Sequence, residues 1–156
     1  MSFCFSDSPL TSTVFYDNYL DVNIINHEKR AGKLTEKGCS YLLNQYIPVE
    51  NKLALINALS WNSPELDERP LTNYNTLLKI LSKKYNHQFD LEKIVPYTNS
   101  ELLCLAYLRA MDDYFNMEVP KKIINKIKGD IEKTLSFNII KYLIYSQELL
   151  EDENNW

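Results

Sequence analysis

Pro48-Val49-Glu50-Asn51-Lys52-Leu53-Ala54-Leu55-Ile56-Asn57-Ala58-Leu59-Ser60-Trp61 carries the strongest signal of a buried helix in this chain. Leu53, Ala54, Leu55, Ile56, Ala58 and Leu59 recur at helical spacing, with no charge after Lys52, which predicts a helix buried in a core. Fifty-two residues further on, Leu105-Ala106-Tyr107-Leu108-Arg109-Ala110-Met111 repeats Leu53-Ala54-Leu55-Ile56-Asn57-Ala58-Leu59. Leu, Ala and Ala are shared, with Ile/Leu and Leu/Met exchanges, as if one packing helix had been used twice. Such a helix governs folding but supplies no nucleophile, ligand set or phosphate loop.

Working outward, the 156-residue chain fits a single domain; a chain of that size buries about 70% of the surface its unfolded form exposes, enough for a core without metal or disulfide. Three Gly and six Pro leave little room for a long flexible linker. Cys4, Cys39 and Cys104 are widely spaced with no CxxC pair, which disfavours a disulfide framework and a zinc site and fits a reducing compartment. The N-terminus, MSFCFSDSPL, has no basic residue and no apolar run of leader length, and no segment reaches membrane-span length. A cytoplasmic, unprocessed protein with no membrane contact is therefore expected. A net charge of −4 speaks against nucleic acid as partner and for a basic one.

Residues 1–33 are expected to be an irregular segment packed on one end of the core, with 26–30 a solvated loop and Phe3, Phe5, Phe15 and Tyr19 contributing buried aromatic area. Thr35 is placed to cap a helix over Glu36–Tyr46 with Cys39, Leu42, Leu43 and Tyr46 inward. Pro48 begins the organising helix, and 62–70 reads as a loop by its two prolines. Tyr74, Leu77, Leu78, Leu81 and Tyr85 form the apolar stripe of a fourth-turn-repeating helix over Tyr74–Tyr85, and a short turn over Leu91–Val95 follows. Thr98 and Glu101 make a capping box for a helix over Asn99–Phe115. Pro120 opens a helix over Lys121–Lys133 with Gly129 as a weak point, and Ser136 caps a last helix over Phe137–Leu150, followed by an acidic tail, 151–156. With no two-residue alternation, the expectation is an all-α domain of three antiparallel helical hairpins, stacked as in helical-repeat proteins; a closed helical bundle is the alternative.

Few constellations could carry chemistry. His27 and His87 stand in polar settings without a second ligand at metal spacing, and Cys39 and Cys104 lie on apolar helix faces, where thiols are inert. No cofactor motif is present, and no metal, cofactor or catalytic role is expected. Lys121, Lys122, Lys126, Lys128 and Lys133 read as a solvated face interrupted by Asp130 and Glu132, with no aromatic platform for bases.

The acidic residues are more informative. Asp112 and Asp113 lie near the C-terminal end of their helix, Glu65, Asp67 and Glu68 beyond the end of the matching one, and Glu148, Glu151 and Asp152 at the end of the last. A helix C-terminus repels carboxylates by about 0.3 to 1 kcal/mol each when exposed, so something else must favour their placement. Stacked hairpins would align these clusters as one acidic rim beside Trp61 and Tyr114, suited to a basic protein surface. Solubility alone is the competing reading.

The segment Val49–Trp61, with ALINAL followed by Trp61, resembles a helix of small all-helical immunity proteins from bacterial contact-dependent growth inhibition and related polymorphic toxin systems. The resemblance implies a protein, monomeric when free, that neutralises a cognate toxin domain, commonly a nuclease, by occluding its basic active-site surface. A helical-repeat adaptor binding a peptide or protein partner is the alternative.

Overall fold

The computed structural model describes residues 8–59, 72–93 and 96–151. Among them every regular element is helical: α1 (Pro9–Ser12), α2 (Asn23–Ala31), α3 (Glu36–Leu43), α4 (Val49–Ala58), α5 (Thr72–Tyr85), α6 (Asn99–Asp112), α7 (Glu118–Lys126) and α8 (Leu135–Glu151), with short 3-10 turns at Tyr16–Tyr19 and Asp130–Lys133. The all-α expectation holds. The one β-like feature among these residues is an isolated bridge between Asp90 and Lys93.

Local chemistry sets the helix ends. Thr35 caps α3 by accepting the Gly38 N–H at 3.2 Å. At α6 both halves of the Thr98/Glu101 capping box form, at 3.2 and 2.8 Å. Three helices end earlier than expected; α6 closes at Asp112, with Asp113 as its C-cap, instead of running to Phe115. α3 stops at Leu43 because Asn44 turns extended and its side chain accepts the Tyr46 N–H at 2.9 Å, an Asx turn that leaves Tyr46 84% exposed, not inward. α7 stops at Lys126, and the chain passes through Gly129 at φ +96 before a 3-10 turn. That backbone conformation is one glycine alone adopts readily, so Gly129 is a break between elements and not a weak point within a helix. Conversely, α8 starts at Leu135, because Thr134, not Ser136, accepts the Phe137 N–H at 3.2 Å.

The largest departure is α2, which occupies the segment expected to be a solvated loop. Glu28, in its middle, is fully buried. Its carboxylate accepts the Thr35 N–H at 2.7 Å, the Thr35 hydroxyl at 2.6 Å and His27 Nδ1 at 3.0 Å. A periodicity count assigns a glutamate to solvent, which hides this helix. Gly32 at φ +63, whose N–H bonds Glu28 O, and Lys29 and Arg30 in the last turn were the available signals of its end.

The core is organised around two helices buried on every side. Lys52 to Leu59 of α4 and its following residue, and Glu101 to Asp112 of α6, are consecutively buried. α6 is enclosed by α3, α4, α5, α7 and α8, while α4 packs mainly on α2 and α6 and only briefly on α3. The tight α3–α4 hairpin expected from the sequence is thus a minor contact, and enclosure of α6 sets where the core lies. The two matching helices run parallel: Lys52 Nζ meets Ser100 Oγ at 3.1 Å, and further along Asn57 Nδ2 meets the Tyr107 hydroxyl at 2.9 Å. Asn57 also accepts the Phe15 and Tyr16 N–H groups, at 3.0 and 3.2 Å, and donates to Thr13 O at 2.9 Å, which ties the N-terminal segment to the core.

A Cβ at Gly38 would press on the Glu28 carboxylate and lie 2.8 Å from Leu34 Cδ1. Gly38→Ala is expected to cost about 1–3 kcal/mol by overpacking, read by chemical denaturation. A loss within about 0.5 kcal/mol, as for an ordinary surface change, would mean that Glu28 is not held against α3.

Candidate functional site

Of the residues expected to form an acidic rim, Asp112 is withdrawn into the core. Asp112 closes α6, but its carboxylate is 3% exposed. It accepts the Tyr74 N–H at 2.7 Å and Asn73 Nδ2 at 3.1 Å, and Asn73 Oδ1 in turn accepts the Leu34 N–H at 2.7 Å. The first turn of α5 therefore faces Asp112, and its partial positive charge offsets the repulsion from α6's own C-terminus. An internal helix end, not an external partner, explains why a carboxylate is placed here. Burial pushes the Asp112 pKa up to about 6, against the opposing pull of the Tyr74 and Asn73 hydrogen bonds and Arg109. Asp112 is thus a strut joining α5 and α6, not a partner-binding residue.

The other rim residues divide. Asp113 accepts from Arg109 Nη1 at 3.0 Å, and Glu148 is ion-paired to Lys121. Tyr114 is half-buried with its ring 4.1 Å from that of Phe115. Glu151 is the last residue of α8. Trp61, Glu65, Asp67, Glu68 and Asp152 lie outside the described residues.

Two features went unread in the sequence. The first is the outer face of α8, where Leu135, Ile139 and Tyr142 are 76%, 41% and 65% exposed while Phe137, Ile140 and Ile144 fill the core behind them. α8 carries apolar residues on both sides, so a search for one inward stripe passes over the second. At its foot a groove of about 300 Å³ is lined by Phe15, Tyr19, Leu53, Leu135 and Ile139.

The second is a polar cleft of about 480 Å³ where the starts of α4 and α6 meet the end of α5. Lys52, Lys84, Ser100 and Glu101 line it. Burial alone would raise the Glu101 pKa, but hydrogen bonds from Lys84, the Thr98 N–H and Tyr85 hold it below the usual value. The residues come from three helices whose sequence separation hides the cluster.

Other reactive groups are quiet. Burial pushes the Cys39 and Cys104 thiols up to about 12, so neither is a thiolate nucleophile. Lys121, Lys122, Lys126, Lys128 and Lys133 each face a carboxylate, giving a mixed-charge surface. No group of His, Cys, Asp and Glu able to hold a metal ion, and no helix long and apolar enough to cross a membrane, occurs among the described residues. Compared with known protein families, with curated proteins and with solved structures, the chain matches none.

Because the folded Asp112 pKa lies above that of an unfolded aspartate, the native state holds the extra proton between about pH 4 and 6. Stability from this group is full below about pH 4 and is lost as pH rises through about 6. Asp112→Asn should flatten that part of the stability profile in urea denaturation. Asp112→Lys should instead destabilise by about 3–5 kcal/mol, since an ammonium would face the donors of α5.

Proposed function

We propose that this chain is a non-catalytic protein-binding domain of the toxin-neutralising kind, an immunity protein that covers the basic active-site surface of a cognate toxin domain, such as a nuclease. The observation that carries the reading is the outward row Leu135, Ile139 and Tyr142 on α8, apolar side chains held in water by a rigid helix. Burying one such side chain fully contributes about 1.5–3 kcal/mol, and tyrosine is among the residue types that anchor interfaces.

Charge supplies the partner's sign. The same helix ends in Glu148 and Glu151, followed in sequence by Asp152 and Glu153, and the chain as a whole carries −4. An apolar row with an acidic end suits a surface with an apolar centre and a basic margin, the margin governing encounter rate more than final affinity. Asp113 and Glu148 already have cations of their own, so their share is salt-dependent steering. The resemblance of Val49–Trp61 to immunity proteins supports the same assignment, although that helix is packing machinery.

The test is co-expression with the protein encoded beside it. Cells should die when that neighbour is expressed alone and survive with this chain. Ile139→Asp combined with Tyr142→Asp should abolish rescue while changing stability by less than about 0.5 kcal/mol per site, as expected of exposed positions. Full rescue by the double variant would remove α8 from the interface, and a harmless neighbour would leave the adaptor reading in place of the toxin one.

A further inference from the structure

The cleft at the start of α6 holds an imbalance of charge that the fold alone does not account for. Lys52 is 3% exposed, and among the described residues no carboxylate lies within ion-pair distance of its ammonium group. Its hydrogen-bond partner is the neutral Ser100 hydroxyl, at 3.1 Å. Lysines are almost never this buried unless paired, because an uncompensated charge out of water is costly.

Among the described residues Glu101 is the acid lining this cleft, and its oxygens are engaged elsewhere. Oε1 accepts from Lys84 Nζ at 2.7 Å, and Oε2 from the Tyr85 hydroxyl and the Thr98 N–H, each at 2.8 Å. Among the described residues, two ammonium groups and one carboxylate thus line this cavity. Burial, the largest influence on Lys52, pulls its pKa down and Lys84 adds to that, while Cys104 and Glu101 pull the other way. Ser100 is also the second residue of α6, so its backbone N–H has no acceptor within the helix.

We propose that this cleft binds a small molecule through one oxyanion group, a carboxylate or phosphate, seated between Lys52 Nζ, the Ser100 hydroxyl and Lys84 Nζ. The excess of one positive charge matches one anionic group, and the Gln45, Ile47 and Val49 side of the cavity leaves space for an uncharged remainder of the ligand. The site uses neither the α8 face nor the acidic residues of the proposed toxin interface, and stands or falls independently of it.

Titration of the isotopically labelled full chain with inorganic phosphate and, separately, acetate, at constant ionic strength set with chloride, tests the site. At least one of the two should give saturable amide shifts at Ser100 and Glu101 and raise the melting temperature by mass action. Which anion saturates identifies the group. Lys52→Met should weaken that affinity at least about tenfold and, by removing the uncompensated charge, raise the melting temperature without ligand. Lys52→Arg should retain binding. If Lys52→Met fails to fold, Ser100→Ala gives the deciding measurement, with an expected several-fold loss. Linear, non-saturating shifts with both anions, or affinity unchanged in Lys52→Met or Ser100→Ala, would overturn the proposal.

Discussion

The structure depends on the mutual burial of α4 and α6. Over residues 52–59 and 101–112 these helices are consecutively buried, so the polar side chains there need partners inside the protein. Asn57 meets Tyr107 and the N-terminal segment, Asp112 meets the start of α5, and Glu101 meets Lys84 and Tyr85. These bonds fix how the outer elements dock, because leaving any one donor or acceptor unmet in the core costs about 1–3 kcal/mol. Apolar burial supplies the drive to fold, and the polar contacts select the arrangement.

The same constraint changes the meaning of charge in this protein. Carboxylates at helix ends look exposed and frustrated when helices are considered singly. In the folded chain Asp112 has the N-terminus of α5 in front of it, and Glu28 has the first turn of α3. Each acid completes a neighbouring helix's unmet N–H groups, so both are structural. Lys52 is the converse case, a buried cation whose bonded partner carries no charge. Among the described residues, the apolar side of α8 and the cleft beside α6 are consequently the places where side chains are left without a full set of partners inside the fold.

Sequence periodicity performed well where one face of a helix is apolar and poorly at both extremes. α5 was legible from Tyr74, Leu77 and Leu81, and α6 from its capping box, because these signals act within a few residues. α2 was missed because its buried face includes Glu28, a residue type that periodicity counts as solvent-facing. The outward row on α8 was missed because Phe137, Ile140 and Ile144 already supply a legible inward stripe, and no local pattern says whether apolar residues on the opposite side meet another element. Asp112 was misassigned because its partners, Asn73 and Tyr74, lie almost forty residues away in the chain.

Local patterns sufficed to show an all-helical fold, a pair of similar buried segments at Leu53–Leu59 and Leu105–Met111, and Cys39 and Cys104 on apolar helix faces. These follow from contacts within one or two helical turns. The assembled fold settles which of the described carboxylates face water, that the outer side of α8 stays bare, and that Lys52, Lys84, Ser100 and Glu101 share one cleft. Burial and electrostatic pairing depend on groups brought together from distant parts of the chain, and no local pattern of residues encodes that meeting.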